Sequence, residues 1–380
     1  MNQDVVRRTR ADLVRLGEAG LDWITFSTQA TALLERQLGF QRSCWHTVDP
    51  GTVMLTGSLN RRIPCSGSWL AEHEYVVDDV NQWWFLARSG RLAGSMHIAT
   101  HGEPSRSARY RTMEGSDVGD ELRGSFVVDG TYWGAVGFLR ERGDPPFTVE
   151  DVRVLASLSE PFAIAFRRAM LAATALPGDA TRDDGPGVVV FDDRGDVELI
   201  SPAAERWIDD LVEVPAPSVA SASKPVQLIA ALTRAAGPGE FLETSTRLRV
   251  QTRSGVWLLL YGTKLSGGDG GRTAVIIQPA TPTEVAPLVA LAYGLTERER
   301  QVTRLSLQGQ STKQMALALG VSPYTVQDHL TSIFDKTGVR TRGELVGQIF
   351  LEHYAPQWET VSNSPPDWHA WGAQSPVTSD

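Results

Sequence analysis

The sequence predicts an α+β multidomain chain in which two sheet-containing units precede an all-α four-helix unit and a tail. Three observations carry this. At 380 residues the chain exceeds the roughly 250–300 residues at which a single core stops growing. Breaks rich in proline and glycine interrupt it at Ala175 to Gly187 and at Pro279 to Pro287, and a proline-rich stretch starts at Ala355. Before the second break, strand-like and helix-like runs alternate; from Leu295 to Phe350 only helical periods remain. The expected boundaries are 1–175, 185–280, a linker at 281–288, 289–354 and a disordered tail at 355–380.

In the first unit, Val5 to Leu16 has helical spacing. Strand-like runs follow at Phe40 to Val48, Thr52 to Leu55, Ser95 to Thr100, Gly124 to Val128 and Tyr132 to Arg140. Asp129-Gly130 between the last two is a hairpin signal. Thr148 with Asp151 opens a long helix through Met170. In the second unit, Gly187 to Asp192 and Val197 to Ile200 read as strands, and Ser201-Pro202 opens a helix to about Leu211. Glu243 to Thr252, Gly255 to Lys264 and Arg272 to Gln278 are β-rich. Leu211 to Pro238, rich in alanine, serine and proline, suggests that the middle of this fold is shortened.

Composition narrows the function. Net charge is −9, which disfavours a polyanion-coating protein without excluding a small DNA-reading module. The acidic excess lies in the two sheet units and the tail; residues 288–354, with 7 basic and 6 acidic groups, are the exception. No apolar run reaches the roughly 18 residues of a membrane span, and MNQDVVRRTR lacks the apolar core of a secretory signal. Cys44 and Cys65 cannot build a disulfide framework. The expectation is a cytoplasmic protein with no membrane partner.

The strongest motif lies between Leu295 and Phe350. Thr296 with Glu299 and Ser311 with Gln314 are capping boxes, and Gly309 and Gly320 stop the helices they open. Ser322 and Pro323 start a third helix, to about Lys336, and Thr341 with Glu344 a fourth, with Leu345, Val346, Ile349 and Phe350 inward. Helices at about 312–319 and 323–336 joined by a tight turn form a helix-turn-helix. With Val326, Leu330 and Ile333 inward, Tyr324, Asp328, Thr331, Ser332 and Asp335 face out, flanked by Thr325 and Gln327. A recognition helix needs such a polar outer side. Lys313 and Lys336 are placed for phosphate contacts.

The run LTERERQVTRLSLQGQSTKQMALALGVSPYTVQDHLTSIFDKTGVRTRGELV resembles the LuxR-type helix-turn-helix domain. The matching positions include Thr296, Glu299, Gly309, Lys313, Ser322, Thr325, Val326, His329, Lys336, Gly338 and Arg342. The resemblance implies a four-helix module acting as a homodimer on near-palindromic double-stranded DNA, with RNA polymerase as a further partner. It implies DNA contacts at Lys313, Ser322, Tyr324, Thr325, Gln327, Asp328, Thr331, Ser332, Lys336 and Arg342. The positions matching Gln327, Asp328 and Thr331 are often basic in the family; here none is, which favours dimeric or cooperative binding.

The first unit resembles a GAF domain in its strand order and in FTVEDVRVLASLSEPFAIAFRRAM; residues 185–280 resemble a PAS-like domain. These resemblances imply a one-component sensor, with a small-molecule ligand or a partner acting on the GAF-like domain; the alternative is regulation by dimerisation or complex formation alone. Trp45, Trp69, Trp83, His97 and Trp133 are the candidate pocket residues. His97 and His101 would suit a metal only on a helix, and MHIATHG reads as strand into loop. No metal, cofactor or enzymatic motif is expected.

Overall fold

The computed structural model describes residues 3–63, 66–113, 116–174, 185–211, 213–214, 223–236, 247–266 and 271–347. The proposed tail, with Trp358, Trp368 and Trp371, lies outside them, as do Ile349, Phe350, Cys65 and most of the Ala175 to Gly187 break.

The first unit begins with α1 (Gln3–Glu18) and α2 (Trp23–Leu38), the latter capped by the Asp22 carboxylate, which accepts from the amides of Ile24 and Thr25 at 3.0 Å. Strands β1 (Arg42–Asp49), β2 (Met54–Arg61), β3 (Ala93–Ser95), β4 (Val118–Val128) and β5 (Thr131–Glu141) form a sheet in the order β3-β4-β5-β1-β2. Short helices α3 (Gly67–Ala71), α4 (Trp83–Ser89), α5 (Met96–Ala99) and α6 (Ala108–Thr112) intervene, and α7 (Val149–Ser157) and α8 (Ser159–Thr174) close the unit. The β4–β5 hairpin turns at Asp129 and Gly130, both with positive φ, as an Asp-Gly primed turn requires. Two expectations change. The strand expected at Ser95 to Thr100 is one helical turn, because the Ser95 hydroxyl accepts from the Ile98 amide and caps it. The long closing helix is two helices, broken at Leu158.

The sheet separates two cores. On one face, Leu13, Phe26 and Leu34 from α1 and α2 and Phe162 and Phe166 from α8 pack around Trp45, Phe126 and Phe138. On the other, Cys44, Val48, Leu55, Trp83 and Tyr132 belong to a cluster that continues through the second unit.

That second unit is an antiparallel sheet in the order β7-β6-β11-β10-β9, from β6 (Gly187–Phe191), β7 (Val197–Ile200), β9 (Arg247–Gln251), β10 (Trp257–Leu265) and β11 (Arg272–Pro279). Helix α9 (Pro202–Asp210) starts on the expected Ser201 cap with Pro202 in its first turn. After α9 the chain returns to the first unit: β8 (Glu213–Val214) pairs in parallel with β2 at its edge. Within the shortened stretch lies α10 (Lys224–Ala235), buried on nearly every side. A helix buried on nearly every side is enclosed by other elements. Here Val226, Leu228, Ile229 and Leu232 fill the space between α3 and β2 on one side and β9 to β11 on the other. The two units therefore share one core.

The expected linker at Pro279 to Pro287 is instead the start of α11 (Pro282–Ala292). Thr281 and Glu284 form a capping box and Pro282 sits in the first turn, where its missing N–H costs nothing. Tertiary burial of Val285, Leu288 and Val289 then outweighs Pro287 within the helix. The helical unit comprises α12 (Glu297–Leu307), α13 (Thr312–Leu319), α14 (Pro323–Thr337) and α15 (342–347). The corner between α11 and α12 is a Schellman motif: Leu295 N–H donates to the Ala290 carbonyl, Gly294 N–H to that of Leu291, and Gly294 has φ +70°.

Leu228, 1% exposed, tests the shared core. Leu228→Ala is expected to cost about 2–5 kcal/mol. In urea denaturation followed by tryptophan fluorescence, both sheet units should shift together as one transition. Two separated transitions would show that α10 does not join them.

Candidate nucleic-acid interface

The C-terminal helices are local structure that the sequence specifies strongly. The Thr296 and Ser311 caps form as expected, each with its reciprocal Glu299 or Gln314 contact. Gly320 ends α13 with φ +65°. The Ser322 hydroxyl accepts from the Thr325 amide at 3.0 Å and starts α14. Val302, Leu305, Met315, Ala316, Val326, Leu330, Ile333 and Leu345 form the core, so the predicted inward face of α14 is the buried one.

One carboxylate fixes the recognition helix against α12. Glu299, 4% exposed, accepts from the Thr296 amide at 2.6 Å, from Lys336 Nζ at 2.7 Å and from the Ser332 hydroxyl at 2.7 Å. Burial alone would raise its pKa; the hydrogen bonds from Lys336, Ser332 and Thr296 outweigh it and hold the carboxyl at about 2.

The predicted DNA-contact residues divide accordingly. Lys313, Tyr324, Gln327, Asp328 and Thr331 are exposed. Lys313 stands in the first turn of α13, the others on the outer side of α14. Thr325 is half-buried and its hydroxyl bonds to Ser322 at 2.9 Å. Ser332 and Lys336 are turned toward α12, not outward, because Glu299 holds both. Arg342 is half-buried and donates to the Ser306 carbonyl at 3.2 Å. Leu317 was not among the predicted contacts; it is 86% exposed on α13, and with Tyr324 at 76% it heads the exposed large apolar side chains among the described residues. Its register, two residues beyond the buried Met315, was the available signal.

The candidate ligand residues do not converge. Trp45 and Trp83 are core, with indole N–H groups bonded to the Thr31 hydroxyl and the Val136 carbonyl. Trp69 lines a separate cavity of about 240 Å³ and donates to the Thr112 hydroxyl. His97 lies in the one-turn α5, and among the described residues no His, Cys, Asp and Glu group is arranged to hold a metal. Of these residues Trp133 alone reaches a second cavity, of about 320 Å³, between the two sheets and α11. The space beneath Trp83 holds ions instead. Arg109 pairs with Asp79 and Glu121, and Arg123 with Glu121 and Glu74, all nearly fully buried. Arg123 also lies 3.9 Å from the Trp83 ring centre. Burial pushes the Glu74 carboxyl up to about 7 despite Arg123 and Arg109.

Residues 294–348 match the bacterial regulatory proteins of the luxR family. A 54-residue segment is 48% identical to the putative HTH-type transcriptional regulator Mb0914c of Mycobacterium bovis, covering 14% of this chain and 6% of that protein. A 55-residue segment is 38% identical to the spore germination protein GerE of Bacillus subtilis, covering 14% of this chain and 74% of GerE. The match thus spans only a small part of the larger relative. Across 90% of this chain and 96% of Escherichia coli SdiA the superposition has a TM-score of 0.31 at 9% identity, too low to equate the two architectures. No helix among the described residues is long and apolar enough to cross a membrane.

Glu299→Gln keeps an acceptor for the cap but loses the ion pair. Lys336 is one-third exposed, so the expected loss is about 1–2 kcal/mol. The folded pKa lies below the unfolded value, so this contribution is complete above about pH 4.5 and disappears as pH falls toward about 2. Thermal melts of both proteins across that range should converge at the acid end. A difference that persists at pH 2 would mean that the carboxylate charge is not responsible.

Proposed function

The chain belongs to the luxR family of bacterial regulatory proteins, and we propose that it is a cytoplasmic transcription regulator whose α14 reads double-stranded DNA and whose sheet units act as a sensor. The observation that carries the reading is the geometry of α14, a capped helix fixed by Glu299 with a polar outer face of Gln327, Asp328 and Thr331. These groups hydrogen-bond base edges: the carboxylate of Asp328 accepts from a cytosine amino group, and the Gln327 amide suits adenine. Lys313 supplies a phosphate contact.

Charge argues for a dimer. Asp328 repels phosphate, and Lys336 and Arg342 are engaged within the unit. A single module with few available cations releases few counterions, so its non-specific affinity is low. Two modules on a near-palindromic site supply what one lacks. The GAF-like and PAS-like readings of 1–175 and 185–280 fit two sheets, antiparallel apart from the β2–β8 pair, flanked by helices. The path from them to the reader is α11, which carries Ala290 into the helical unit's core and Val285 and Val289 onto β10. A ligand moves that path only through differential affinity for two of its states. RNA polymerase is the partner through which a bound regulator would act on transcription.

The full chain, selected against random duplex DNA at fixed salt, should enrich one sequence class. Absence of any preference would sink the DNA-reading assignment. On that site, Asp328→Ala should change base preference at one position by about 1–3 kcal/mol, whereas Lys313→Ala should weaken all sequences alike and reduce the salt slope by about 1. Equal effects of the two variants across a sequence panel would count against these roles.

A further inference from the structure

We propose that the cavity between the two sheets and α11 is a binding site for a small, mainly apolar molecule carrying acceptor oxygens, such as a carbonyl or carboxylate. The inference rests on the sensory reading above and gives it a place. The cavity, of about 320 Å³, has apolar walls from Phe166 and Met170 of α8 and Leu288 of α11. Its size falls in the range of small-molecule sites.

The polar groups at its wall show what is missing. Asp49 is paired with Arg249, and Asp22 caps α2, so both carboxylates are already engaged. Three N–H donors are not: Trp133 Nε1, Trp257 Nε1 and Gln251 Nε2 are buried with no hydrogen-bond partner, and all three residues line this cavity. Trp133 is 3% exposed. Buried donors normally find partners; these three nitrogens are covered within the cavity wall, so an acceptor from outside the chain reaches them as the wall side chains turn. The sheet is also shaped there. Thr47 pairs with Gly57 on one side and Gly134 on the other. At that level both flanking strands carry an extra residue, Thr56 on β2 and Trp133 on β5, and both line the cavity. Bulges re-aim side chains and cluster beside functional sites. An occupant would touch Leu288 on the helix that leads into the DNA reader.

The test uses the full chain and 1-anilinonaphthalene-8-sulfonate, an apolar probe with acceptor oxygens, read by fluorescence. Saturable binding of one equivalent is expected. Ala173→Trp, which fills the cavity from α8, should weaken it at least ten-fold, and Trp133→Phe, which removes the donor and keeps a ring, should weaken it several-fold. Without probe, Trp133→Phe should melt lower only by what the smaller ring costs in packing, since its N–H has no partner to lose. Equal probe affinity in the parent and Ala173→Trp, circular dichroism being unchanged, would overturn the site. So would a Trp133→Phe protein that binds probe like the parent; Trp257→Phe repeats this arm if the first variant fails to fold. Operator affinity is measured separately, with and without saturating probe. A probe that binds as expected yet leaves operator affinity unchanged supports the site and overturns its sensory role. Intact operator binding with no probe binding overturns the site and leaves the DNA reader standing.

Discussion

The two sheet units and α11 meet at one guanidinium. Arg249 on β9 donates from Nε at 2.9 Å and from Nη2 at 2.7 Å to the Asp49 carboxylate at the end of β1, and its backbone N–H reaches the same group at 3.2 Å. Its Nη1 donates to the Glu284 carbonyl of α11 at 2.9 Å. Asp49 is wholly buried, so removing either partner leaves an uncompensated buried charge, a loss of about 3–5 kcal/mol in comparable pairs. The fork of arginine is needed because three separate acceptor atoms are satisfied at once; a lysine has one nitrogen to offer. Gly51 is part of the same arrangement, since a Cβ there would collide with Arg249 Nη2.

This joint makes α11 a packed helix rather than a tether. Leu291 and Ala292 pack with the first unit's core, Val285 and Val289 with Leu259 of the second, and Ala286 and Ala290 with the helical unit. The Schellman corner at Gly294 fixes the direction in which α12 leaves. A flexible linker would decouple the reader from the sheets. On the sensory reading proposed above, a helix held at both ends is the element that would pass displacement on, because packed interfaces switch between arrangements more readily than they deform.

What was legible in the sequence is what short-range chemistry decides. The caps at Thr296, Ser311 and Ser322, the Asp129-Gly130 turn and the inward face of α14 each depend on residues within a few positions of one another. The outcome at Pro282 to Ala292 depended on partners far away in the chain: proline spacing reads as a linker until Leu259 and Leu171 are there to bury its apolar face. The same holds for Asp49 and Arg249, 200 positions apart, and for Glu299 with Ser332 and Lys336, where a serine expected to face out and a lysine expected to contact phosphate turn toward a buried carboxylate on another helix. The short, weakly patterned stretch before Pro238 hid α10, whose all-round burial makes sense only between two sheets.

The tryptophans named as pocket candidates do not line one hollow, and the charge beneath Trp83 bears on why. An aromatic-lined hollow on the inner face of the first sheet would need to be empty, and it is filled with charge. Two arginines and three carboxylates, Arg109, Arg123, Asp79, Glu121 and Glu74, leave one negative charge in excess if all ionise. Burial relieves this by lifting Glu74 to about 7, so near neutrality the network approaches balance. Replacing such a network by a small apolar molecule would strand at least one buried ion, at a cost no weak ligand recovers. The α10 wedge packs against α3 and β2 on that same side. The cavity beside Trp133 lies elsewhere, where the sheets and α11 part, on the far side of β1.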